Sequence, residues 1–578
     1  MNHLVDKHVL VLGLGASGMA LARWCVRCGA RVTVADTRAA PPQLEVLRST
    51  LPDVTFVHSD MRADLFASAA FDLVLKSPGL SPASIAGVID AAEARGIARG
   101  NELSLFSQAL ADLKQDRGYA PQVIGITGTN GKTTVTSLTG QLAHKAGKTV
   151  ALAGNIGPTL LDTLTEKLDA ALQAQREAAE AAKDADQVEI VEGQMTAPIL
   201  VAVYQGGELA PERPEDEDAS VLPPVMLTLT PAEPRPSLPA LPEMPEMPEM
   251  PQVWVLELSS FQLDGVSNFE PTVATVLNVT QDHLDWHGTF PAYIAAKSRI
   301  YGNGLMLLNR DDPLVMAALP PIAPITKGKQ PLPRPYLTFG SDEPRRPGDY
   351  GIEMVNGMAW LVRAALADET VKRRKDEEVV LHIQRLMPMD ALRIQGRHNA
   401  TNALAATALA VAAGCNLAPM LHGLREYRGE PHRVESIAVL ADVEYFDDSK
   451  GTNVGATVAA LQGLGTERKL VVILGGEGKG QDFSPLADAV SRHARAVVLM
   501  GRDAPLIRAA LQHTEVKLVD AASLQEAVTA AAHEAHAGDA VLMSPACASF
   551  DMFDDYKHRA RVFCEAVQAL AHEEGVVL

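Results

Sequence analysis

A glycine-rich loop in the first quarter of the chain carries the residue types that bind a nucleoside triphosphate. It has the sequence Gly128-Thr129-Asn130-Gly131-Lys132-Thr133-Thr134 and lies between a predicted strand and a predicted helix. Backbone N–H groups of such a loop cradle phosphates, while a lysine reaches the terminal phosphates and a threonine hydroxyl coordinates Mg²⁺. We assign those two roles to Lys132 and Thr133. The spacing departs from the strict phosphate-loop pattern because Ile126 stands where the first glycine is usual.

A second glycine-rich turn, near the N-terminus, is typical of nucleotide binding. Gly13-Leu14-Gly15-Ala16-Ser17-Gly18 follows a predicted strand and opens a helix, and a second strand ends at Asp36. Glycines there allow a tight turn and a close backbone approach to a diphosphate at the helix N-terminus. The motif alone leaves two interpretations open: an NAD enzyme, or a turn that serves only strand–helix packing.

Candidate metal ligands follow two further predicted strands. Glu257 ends the apolar run Val253-Trp254-Val255-Leu256, and His283 lies in a polar segment, residues 278–285, that leaves another strand. A carboxylate at the C-terminal end of a buried parallel strand, beside a phosphate loop, is placed to hold Mg²⁺ directly or through water. From the residues alone, His283 is as compatible with a helix cap or a core position as with a metal site.

The elements that must position these motifs form an α/β pattern. Apolar strand-like runs alternate with Ala/Leu-rich helical segments, which predicts parallel sheets. We predict three domains: a Rossmann-like domain at residues 1–118, a central phosphate-loop ATPase-type domain at 119–430, and a Rossmann-like domain with a parallel sheet at 431–578. The polar residues 114–121 are predicted to link the first two domains.

One segment breaks this alternation. Residues 167–251 are rich first in Ala, Glu and Gln and then in Pro, Glu and Met. Proline lacks an N–H donor and glutamates repel one another, so the later part cannot pack a core. We predict a flexible surface insertion whose first part could be helical, and we favour a tolerated insertion over a partner-binding segment.

Composition and charge exclude several classes of protein. Lys and Arg total 51 against 71 Asp and Glu, and the resulting net charge of −20 disfavours nucleic-acid and anionic-membrane partners. Five cysteines in 578 residues indicate a reducing compartment, and we interpret the Cys25/Cys28 pair as packing in preference to zinc binding. No apolar run is long enough for a signal peptide or a membrane span. We expect a cytoplasmic monomer.

Taken together, the motifs resemble those of the Mur ligase family, ATP-dependent amide-forming enzymes of peptidoglycan synthesis. The resemblance rests on five segments spread along the chain, namely residues 128–134, 257–260, 278–283, 396–402 and 432–433. It covers nearly the whole chain except residues 167–251. Three segments of the last domain, residues 448–453, 475–479 and 544–549, resemble the D-glutamate-adding branch, and the Asp-Asn-Pro-Arg motif of the diaminopimelate-adding branch is missing.

The resemblance implies a reaction and a set of catalytic groups. ATP would phosphorylate the terminal carboxylate of UDP-N-acetylmuramoyl-L-alanine, and the D-glutamate amine would attack the acyl phosphate. The implied cofactors are ATP and two Mg²⁺ ions, the first held by Thr133 and Glu257 and the second by His283, with a carbamylated Lys297 among the metal ligands. The pattern alone would make Lys297 an exposed helical charge; a carbamate would give it the anionic oxygens that a cation requires. The implied catalytic residues are Lys132, Glu257, His283 and Lys297.

The resemblance also implies three groups of substrate contacts. ATP would contact Gly128, Thr129, Asn130, Gly131, Lys132, Thr133, Thr134, Asn399, Asn402, Arg433 and Asp448. The UDP-linked substrate would contact Gly15, Ala16, Ser17, Gly18, Asp36, Thr37, Arg38, Ser77, Pro78, Gly79 and Asn155. D-Glutamate would contact Lys450, Thr452, Lys479, Ser549, Phe550 and Tyr556.

Two of these positions depart from the family pattern, since Phe550 stands where a leucine is usual and Tyr556 where a phenylalanine is. Both substitutions are expected to preserve an apolar wall. Three alternatives stay open at this point: an NAD-dependent oxidoreductase, a ligase for another amino acid, and a non-catalytic scaffold that recruits partners through residues 167–251.

Overall fold

The N-terminal part of the chain forms a five-stranded parallel sheet. The computed structural model describes residues 2–188, 250–321, 334–367, 380–466, 468–573 and 575. Strands β1 (His8–Leu12), β2 (Arg31–Asp36), β3 (Thr55–His58), β4 (Leu73–Lys76) and β5 (Ala98–Asn101) lie in the order β3-β2-β1-β4-β5. Helices α1 (Ala16–Arg27), α2 (Leu44–Thr50), α3 (Leu65–Ser68), α4 (Ala86–Ala94) and α5 (Glu102–Arg117) connect and flank them. The strand order reverses beside β1, so the glycine turn lies at the point where such sheets bind ligands.

Helix α5 corrects the predicted linker. Residues 114–117 form its last turn, and the helix ends at Gly118, whose φ of 67° is the left-handed conformation that commonly ends helices. The basic side chains of Lys114 and Arg117 favour the negative end of the helix dipole. Polarity alone had suggested a loop, and that prediction is wrong for these four residues.

The middle of the chain forms a six-stranded parallel sheet. Its strands are β6 (Gln122–Thr127), β7 (Val150–Gly154), β8 (Val253–Glu257), β9 (Val273–Val276), β10 (Leu305–Asn309) and β11 (Tyr336–Phe339), in the order β11-β10-β9-β6-β8-β7. Its helices are α6 (Lys132–Lys145), α7 (Leu160–Val188), α8 (Ser260–Leu263), α9 (Leu284–His287), α10 (Phe290–Ser298) and α11 (Pro313–Met316). Strand β6 lies between β9 and β8, so the phosphate loop, Glu257 and the segment after β9 share one sheet edge.

A small antiparallel sheet and two helices complete this middle region. Strands β12 (Tyr350–Val355), β13 (Met358–Leu366) and β14 (Leu381–Pro388) form the sheet, and helices α12 (Arg397–Ala412) and α13 (Leu417–Glu426) follow. Residues Ala403 to Ala410 of α12 are buried in a shared core with Leu138 and Leu142 of α6. The helix that follows the phosphate loop is therefore fixed from both sides.

Helix α7 begins before the predicted insertion. It is buried at Leu160, Leu161, Leu164, Leu168 and Ala171, a helical spacing that packs it against α1 and α5. The boundary predicted at residue 167 therefore cuts a packed helix. The helix expected in the first part of the insertion is present, and residues 189–249, the rest of the predicted insertion apart from its last two residues, lie outside the described residues.

The last part of the chain is a six-stranded sheet in the order β15-β16-β20-β17-β18-β19. Its strands are β15 (Glu435–Leu440), β16 (Val443–Asp447), β17 (Leu470–Gly475), β18 (Ala494–Met500), β19 (Lys517–Asp520) and β20 (Ala540–Met543); its helices are α14 (Val454–Leu464), α15 (Leu486–His493), α16 (Ala504–Leu511), α17 (Leu524–Glu534) and α18 (Tyr556–Glu573). All pairings are parallel except that of the edge strand β15. The prediction of an α/β chain with parallel sheets is confirmed.

Two further sequence expectations concern the cysteines and the membrane. All five cysteines are free thiols, and Cys25 and Cys28 lie in the hydrophobic core around α1, as the packing interpretation predicts. No helix in the described part of the chain combines the length and apolar character needed to cross a membrane.

Candidate active site

The phosphate loop lies between β6 and α6, as its strand–glycine–helix pattern predicts. Lys132 Nζ donates to the carbonyl oxygens of Gly128 and Thr129 at 2.8 and 2.7 Å. Gly131 has a φ of 82°, a conformation that favours glycine, and a Cβ there would lie 2.8 Å from Asn402 Oδ1. Burial lowers the pKa of Lys132, and the nearby Glu257 carboxylate opposes that shift. The loop therefore presents a half-buried cation at the N-terminus of a helix, where anions bind.

Glu257 provides a buried carboxylate beside this loop. The residue is 1% exposed, and its Oε1 accepts a hydrogen bond from Asn155 Nδ2 at 2.7 Å. Its Oε2 is buried and has no hydrogen-bond partner among the described residues. Because an unsatisfied buried carboxylate oxygen is costly, this atom suits a bound cation. The oxygen donor set fits the Mg²⁺ ligand predicted from the sequence.

Lys297 is buried, not exposed as the helical pattern alone suggested. It is 2% exposed on α10, and its Nζ donates to Gly128 O at 2.8 Å and lies 4.6 Å from the centre of the Tyr293 ring. The Tyr293 hydroxyl is 3.0 Å from Thr129 Oγ1, so this face of α10 packs directly on the phosphate loop. Burial, together with the charge of Lys132, lowers the pKa of Lys297 well below its ordinary value.

His283 belongs to the same cluster of charges. It has a φ of 55° and is the N-cap of α9. The centre of its ring lies 4.7 Å from that of Phe261, and its Nε2 lies 3.5 Å from Asp282 Oδ2. Burial lowers the pKa of His283, Asp282 opposes the shift, and the charges of Lys132 and Lys297 reinforce it. A neutral imidazole is the form that binds a metal, so these surroundings are compatible with the predicted ligand role.

The N-terminal glycine turn is closed by Asp36. The Asp36 carboxylate accepts hydrogen bonds from the Leu14 amide at 2.7 Å and from the guanidinium of Arg38 at 2.8 and 2.9 Å. Burial disfavours the charged form, but these hydrogen bonds outweigh it and lower the pKa of Asp36 to about 2. A Cβ on Gly18 would lie 1.9 Å from Gly13 O, so the turn admits only glycine there. Asp36 thus holds the turn and positions Arg38.

The other residues predicted for the UDP-linked substrate surround this turn or lie opposite it. Ser77, Pro78 and Gly79 follow β4, and Ser77 Cβ would be 3.1 Å from a Cβ on Gly13. Gly15, Ala16, Ser17 and Thr37 lie in the turn or directly after β2. Asn155 lies on the loop after β7, where Glu257 holds it. Asn155, a predicted contact of the UDP-linked substrate, is therefore hydrogen-bonded to Glu257, the predicted metal ligand.

The residues predicted for ATP come together from two parts of the chain. Asn402 Nδ2 donates to Asn399 Oδ1 at 3.2 Å beside the phosphate loop. Arg433, which precedes β15, donates from Nη2 to Thr133 Oγ1 at 2.7 Å. Burial raises the pKa of Asp448 to about 7, although the Ser544 hydroxyl, which donates to Asp448 Oδ2 at 2.6 Å, acts in the opposite direction. Thr134 is the third residue of α6.

The residues predicted for D-glutamate cluster at the carboxyl ends of the third sheet. Lys450 Nζ donates to the Tyr556 hydroxyl at 3.2 Å, so the tyrosine adds a polar partner where a purely apolar wall was expected. Phe550 is 64% exposed and lies 5.9 Å from Lys479 Nζ. Ser549 is buried, and Thr452 is half-buried beside Lys450.

Two residues that position the site were missed among the sequence predictions. Asn278 Oδ1 accepts a hydrogen bond from the backbone N–H of Asn130 at 2.8 Å, and Asn278 Nδ2 donates to the backbone carbonyl oxygen of Asn130 at 3.1 Å. The Asn278 side chain therefore holds the phosphate loop in shape. Ser544 holds Asp448. Both lie in segments that carry the family resemblance. The available signal in each was a polar residue close to the end of a buried strand, Ser544 directly after β20 and Asn278 two residues after β9.

Fold and site together define a phosphate-loop enzyme built from three α/β domains. The model of the Mur ligase middle domain matches residues 126–205 and 238–410, that of the Mur ligase, glutamate ligase domain matches residues 432–547, and that of the Mur ligase MurD-like, N-terminal domain matches residues 7–99. The chain belongs to the Mur ligase family, as the sequence motifs predicted.

Full-length relatives support the same assignment. The chain is 55% identical to a UDP-N-acetylmuramoylalanine--D-glutamate ligase of Polaromonas sp., with 100% of both chains covered. It is 56% identical to a protein of the same name from Albidiferax ferrireducens, covering 100% of this chain and 98% of that one. Among solved structures, the chain is similar to a UDP-N-acetylmuramate-alanine ligase from Thermotoga maritima. The two sequences are 18% identical, the TM-score is 0.46, and the match covers 98% of this chain and 100% of that one.

Proposed function

We propose that the chain joins D-glutamate to UDP-N-acetylmuramoyl-L-alanine with consumption of ATP, a step of peptidoglycan biosynthesis. The full-length relatives are named for this reaction, as UDP-N-acetylmuramoylalanine--D-glutamate ligases, and the last domain matches a glutamate ligase domain. The structural observation that carries the proposal is the convergence of Lys132, Lys297 and Glu257 on one phosphate loop, with Arg433 reaching it from the last domain. An oxidoreductase built on the N-terminal turn would leave that convergence unused.

The chemistry requires activation of a carboxylate. A carboxylate resists attack by an amine because its oxygen is a poor leaving group; transfer of the terminal phosphate of ATP to that oxygen creates an acyl phosphate. Attack by the D-glutamate amine then forms the amide and releases phosphate. Lys132 and Arg433 are placed to neutralise the crowded phosphate oxygens, and catalysis is mainly positioning and charge neutralisation. Docking of the last domain would keep water from the acyl phosphate.

Two metal positions are proposed on this site. Glu257 and Thr133 would hold one Mg²⁺, since Glu257 Oε2 lacks any other described partner. His283 and a carbamylated Lys297 would hold the second. The lowered pKa of Lys297 increases its neutral amine fraction, and a neutral amine adds to CO₂ to form a carbamate with release of one proton. Mg²⁺ bound here would supply charge neutralisation for phosphate transfer.

The amino-acid site is proposed around Lys450 and Lys479. A dianionic amino acid needs cations together with hydroxyl or backbone donors, and Thr452 and Ser549 lie in the same loops as the two lysines. The turn around Arg38 is proposed for the uracil and ribose side of the other substrate. Asp36 then acts indirectly, because its oxygens are engaged by Leu14 and Arg38.

The proposal is tested by phosphate release with one reactant omitted at a time. We expect release to require ATP, Mg²⁺, UDP-N-acetylmuramoyl-L-alanine and D-glutamate together. A panel of other amino acids distinguishes a ligase of another branch, and addition of NAD should have no effect. Release that proceeds equally without the nucleotide sugar or without D-glutamate would refute the proposal.

We also propose the oligomeric state of the protein, its location in the cell and the absence of nucleic-acid partners. We propose a monomer, to be checked by sedimentation at micromolar concentration with and without substrates. We also propose a cytoplasmic location, which agrees with the five free thiols. The absence of nucleic-acid partners follows from the net charge and is checked by a retention assay on immobilised DNA and RNA.

A further inference from the structure

Helix α14 of the last domain meets the phosphate loop at its N-terminal end. Asn453, the N-cap of this helix, donates from Nδ2 to Asn130 Oδ1 at 3.1 Å, and Asn130 Nδ2 donates to Asn453 Oδ1 at 3.3 Å. Asn453 Oδ1 also accepts from the Ala456 amide at 2.9 Å. Only an oxygen can accept that N–H, so the cap fixes which way the Asn453 amide points. Asn453 is 7% exposed, so water competes little for this pair.

Asn130 is held on two sides by two different parts of the chain. Its backbone N–H and C=O are both bound by Asn278, which follows strand β9 of the central sheet. Its side chain is bound by Asn453 of the last domain. Because Lys132 lies two residues further along the same loop, the side-chain contact acts directly on the segment that carries the predicted phosphate-binding cation.

The rest of α14 is shaped for close approach to the central domain. A Cβ on Gly455 would lie 2.9 Å from Thr280 Oγ1 and 3.2 Å from Asn130 Nδ2. A Cβ on Gly463, eight residues and about two turns further on, would lie 2.6 Å from His398 Nδ1. Glycine at both positions lets the helix lie flat on the central domain, so the asparagine pair is one end of an extended interface.

We propose that Asn453 is a positioning residue that couples docking of the last domain to the shape of the phosphate loop. The proposal rests on the proposed ligase function. Lys450 and Thr452, two of the predicted D-glutamate contacts, lie three positions and one position before Asn453 in the chain. Occupation of the amino-acid site is thereby linked, through residues 450–453 and the Asn453–Asn130 amide pair, to the loop proposed to hold ATP. Asn453 acts through Asn130 and has no direct part in the chemistry.

The test separates this role from helix capping. Asn453→Ser keeps a good N-cap but is too short to reach Asn130, so the loss is confined to the amide pair. We expect kcat to fall about 10-fold, the effect of losing two modest hydrogen bonds made in the docked state, while KM for the UDP-linked substrate changes less than twofold. Ser523→Ala, which removes the N-cap of α17 without touching the loop, is the matched control and should leave kcat unchanged.

A double-mutant cycle supplies the decisive comparison. In an Asn130→Ala background, the further change Asn453→Ser should cost less than twofold in kcat, because the partner is already gone. Equal fold-losses in both backgrounds would overturn the proposal. Amide hydrogen exchange of residues 128–134, measured without substrates, should be faster in the Asn453→Ser variant than in the Ser523→Ala variant. This second readout is independent of turnover: unchanged exchange refutes the coupling, whereas inactivity of the unmodified protein refutes only the ligase function.

Discussion

Replacing Glu102 by glutamine is expected to change the free energy of unfolding more favourably at pH 8 than at pH 5. Glu102 is the first residue of α5, is 1% exposed, and its Oε1 accepts from the Leu161 amide of α7 at 3.1 Å. Burial raises the pKa of Glu102 to about 7, although hydrogen bonds from Leu161 and Ser17 act in the opposite direction. This carboxyl group lies between the N-terminal domain and α7, where burial removes its water, so its charged form is disfavoured.

The sign and size of the effect follow from proton binding. Between pH 4.5, the ordinary pKa of the side chain, and about 7, the folded chain keeps a proton on Glu102 that the unfolded chain has released. The free energy of unfolding therefore falls as the pH rises through this interval and levels off above it. At about 1.4 kcal/mol for each pH unit, the full interval corresponds to about 3 kcal/mol. Glutamine has no proton to lose, so its variant escapes this decline.

Urea unfolding at pH 5, 6, 7 and 8 measures the difference. In a background where the three other tryptophans are replaced by phenylalanine, the fluorescence of Trp24, which is buried in α1 of the same domain, reports on the relevant core. Glu45→Gln, at an exposed carboxylate in the first turn of α2, is the matched control because that side chain remains in water whether or not the chain is folded. If both variants differ from the unmodified protein by the same amount at all four pH values, the reasoning about Glu102 is wrong.

Three further outcomes are expected. Lys132→Ala should abolish phosphate release while circular dichroism stays unchanged, since within the described part of the chain its side chain donates hydrogen bonds to two loop carbonyls; a fully active variant would contradict its role. Gly18→Ala should weaken binding of the UDP-linked substrate at least 10-fold in calorimetry, because its Cβ would lie 1.9 Å from Gly13 O; unchanged affinity would contradict the assigned turn. Replacing residues 189–249 by a Gly/Ser linker should leave turnover within threefold, whereas a scaffold that recruits partners through this segment would lose binding.

The parts of the site formed by local sequence could be predicted. A strand followed by glycines and a helix has few conformations, so the turn at residues 13–18 and the loop at residues 128–134 lie where the motifs placed them. Glu257 was predictable for a related reason, since the carboxyl ends of adjacent parallel strands meet at one sheet edge. These predictions depend on contacts within one strand–loop–helix unit or between neighbouring strands.

The parts formed by distant contacts could not. The spacing of residues along α10 does not reveal that Lys297 faces a loop carbonyl 169 positions away, and a lysine on a short helix is usually exposed. Asp36 was predictable as a polar residue after a strand, but its use in holding Arg38 depends on side-chain geometry. The packed part of α7 was missed because an Ala/Glu-rich composition resembles a solvated helix even where every third or fourth residue is buried.

The most informative contact in the site joins two lysines to one atom. Lys132 Nζ and Lys297 Nζ each donate to Gly128 O at 2.8 Å, so two ammonium groups would meet at a single carbonyl oxygen in a buried position. Repulsion between them is relieved either by loss of a proton or by a nearby anion. Burial lowers the pKa of both lysines, and for Lys297 the charge of Lys132 adds to that effect. Phosphate oxygens at this loop would supply the anion. A carbamate on Lys297 would replace a cation that Lys132 repels by an anion that Lys132 attracts. The same pair of lysines would thus account for both the proposed binding of a triphosphate and the reactivity proposed for Lys297.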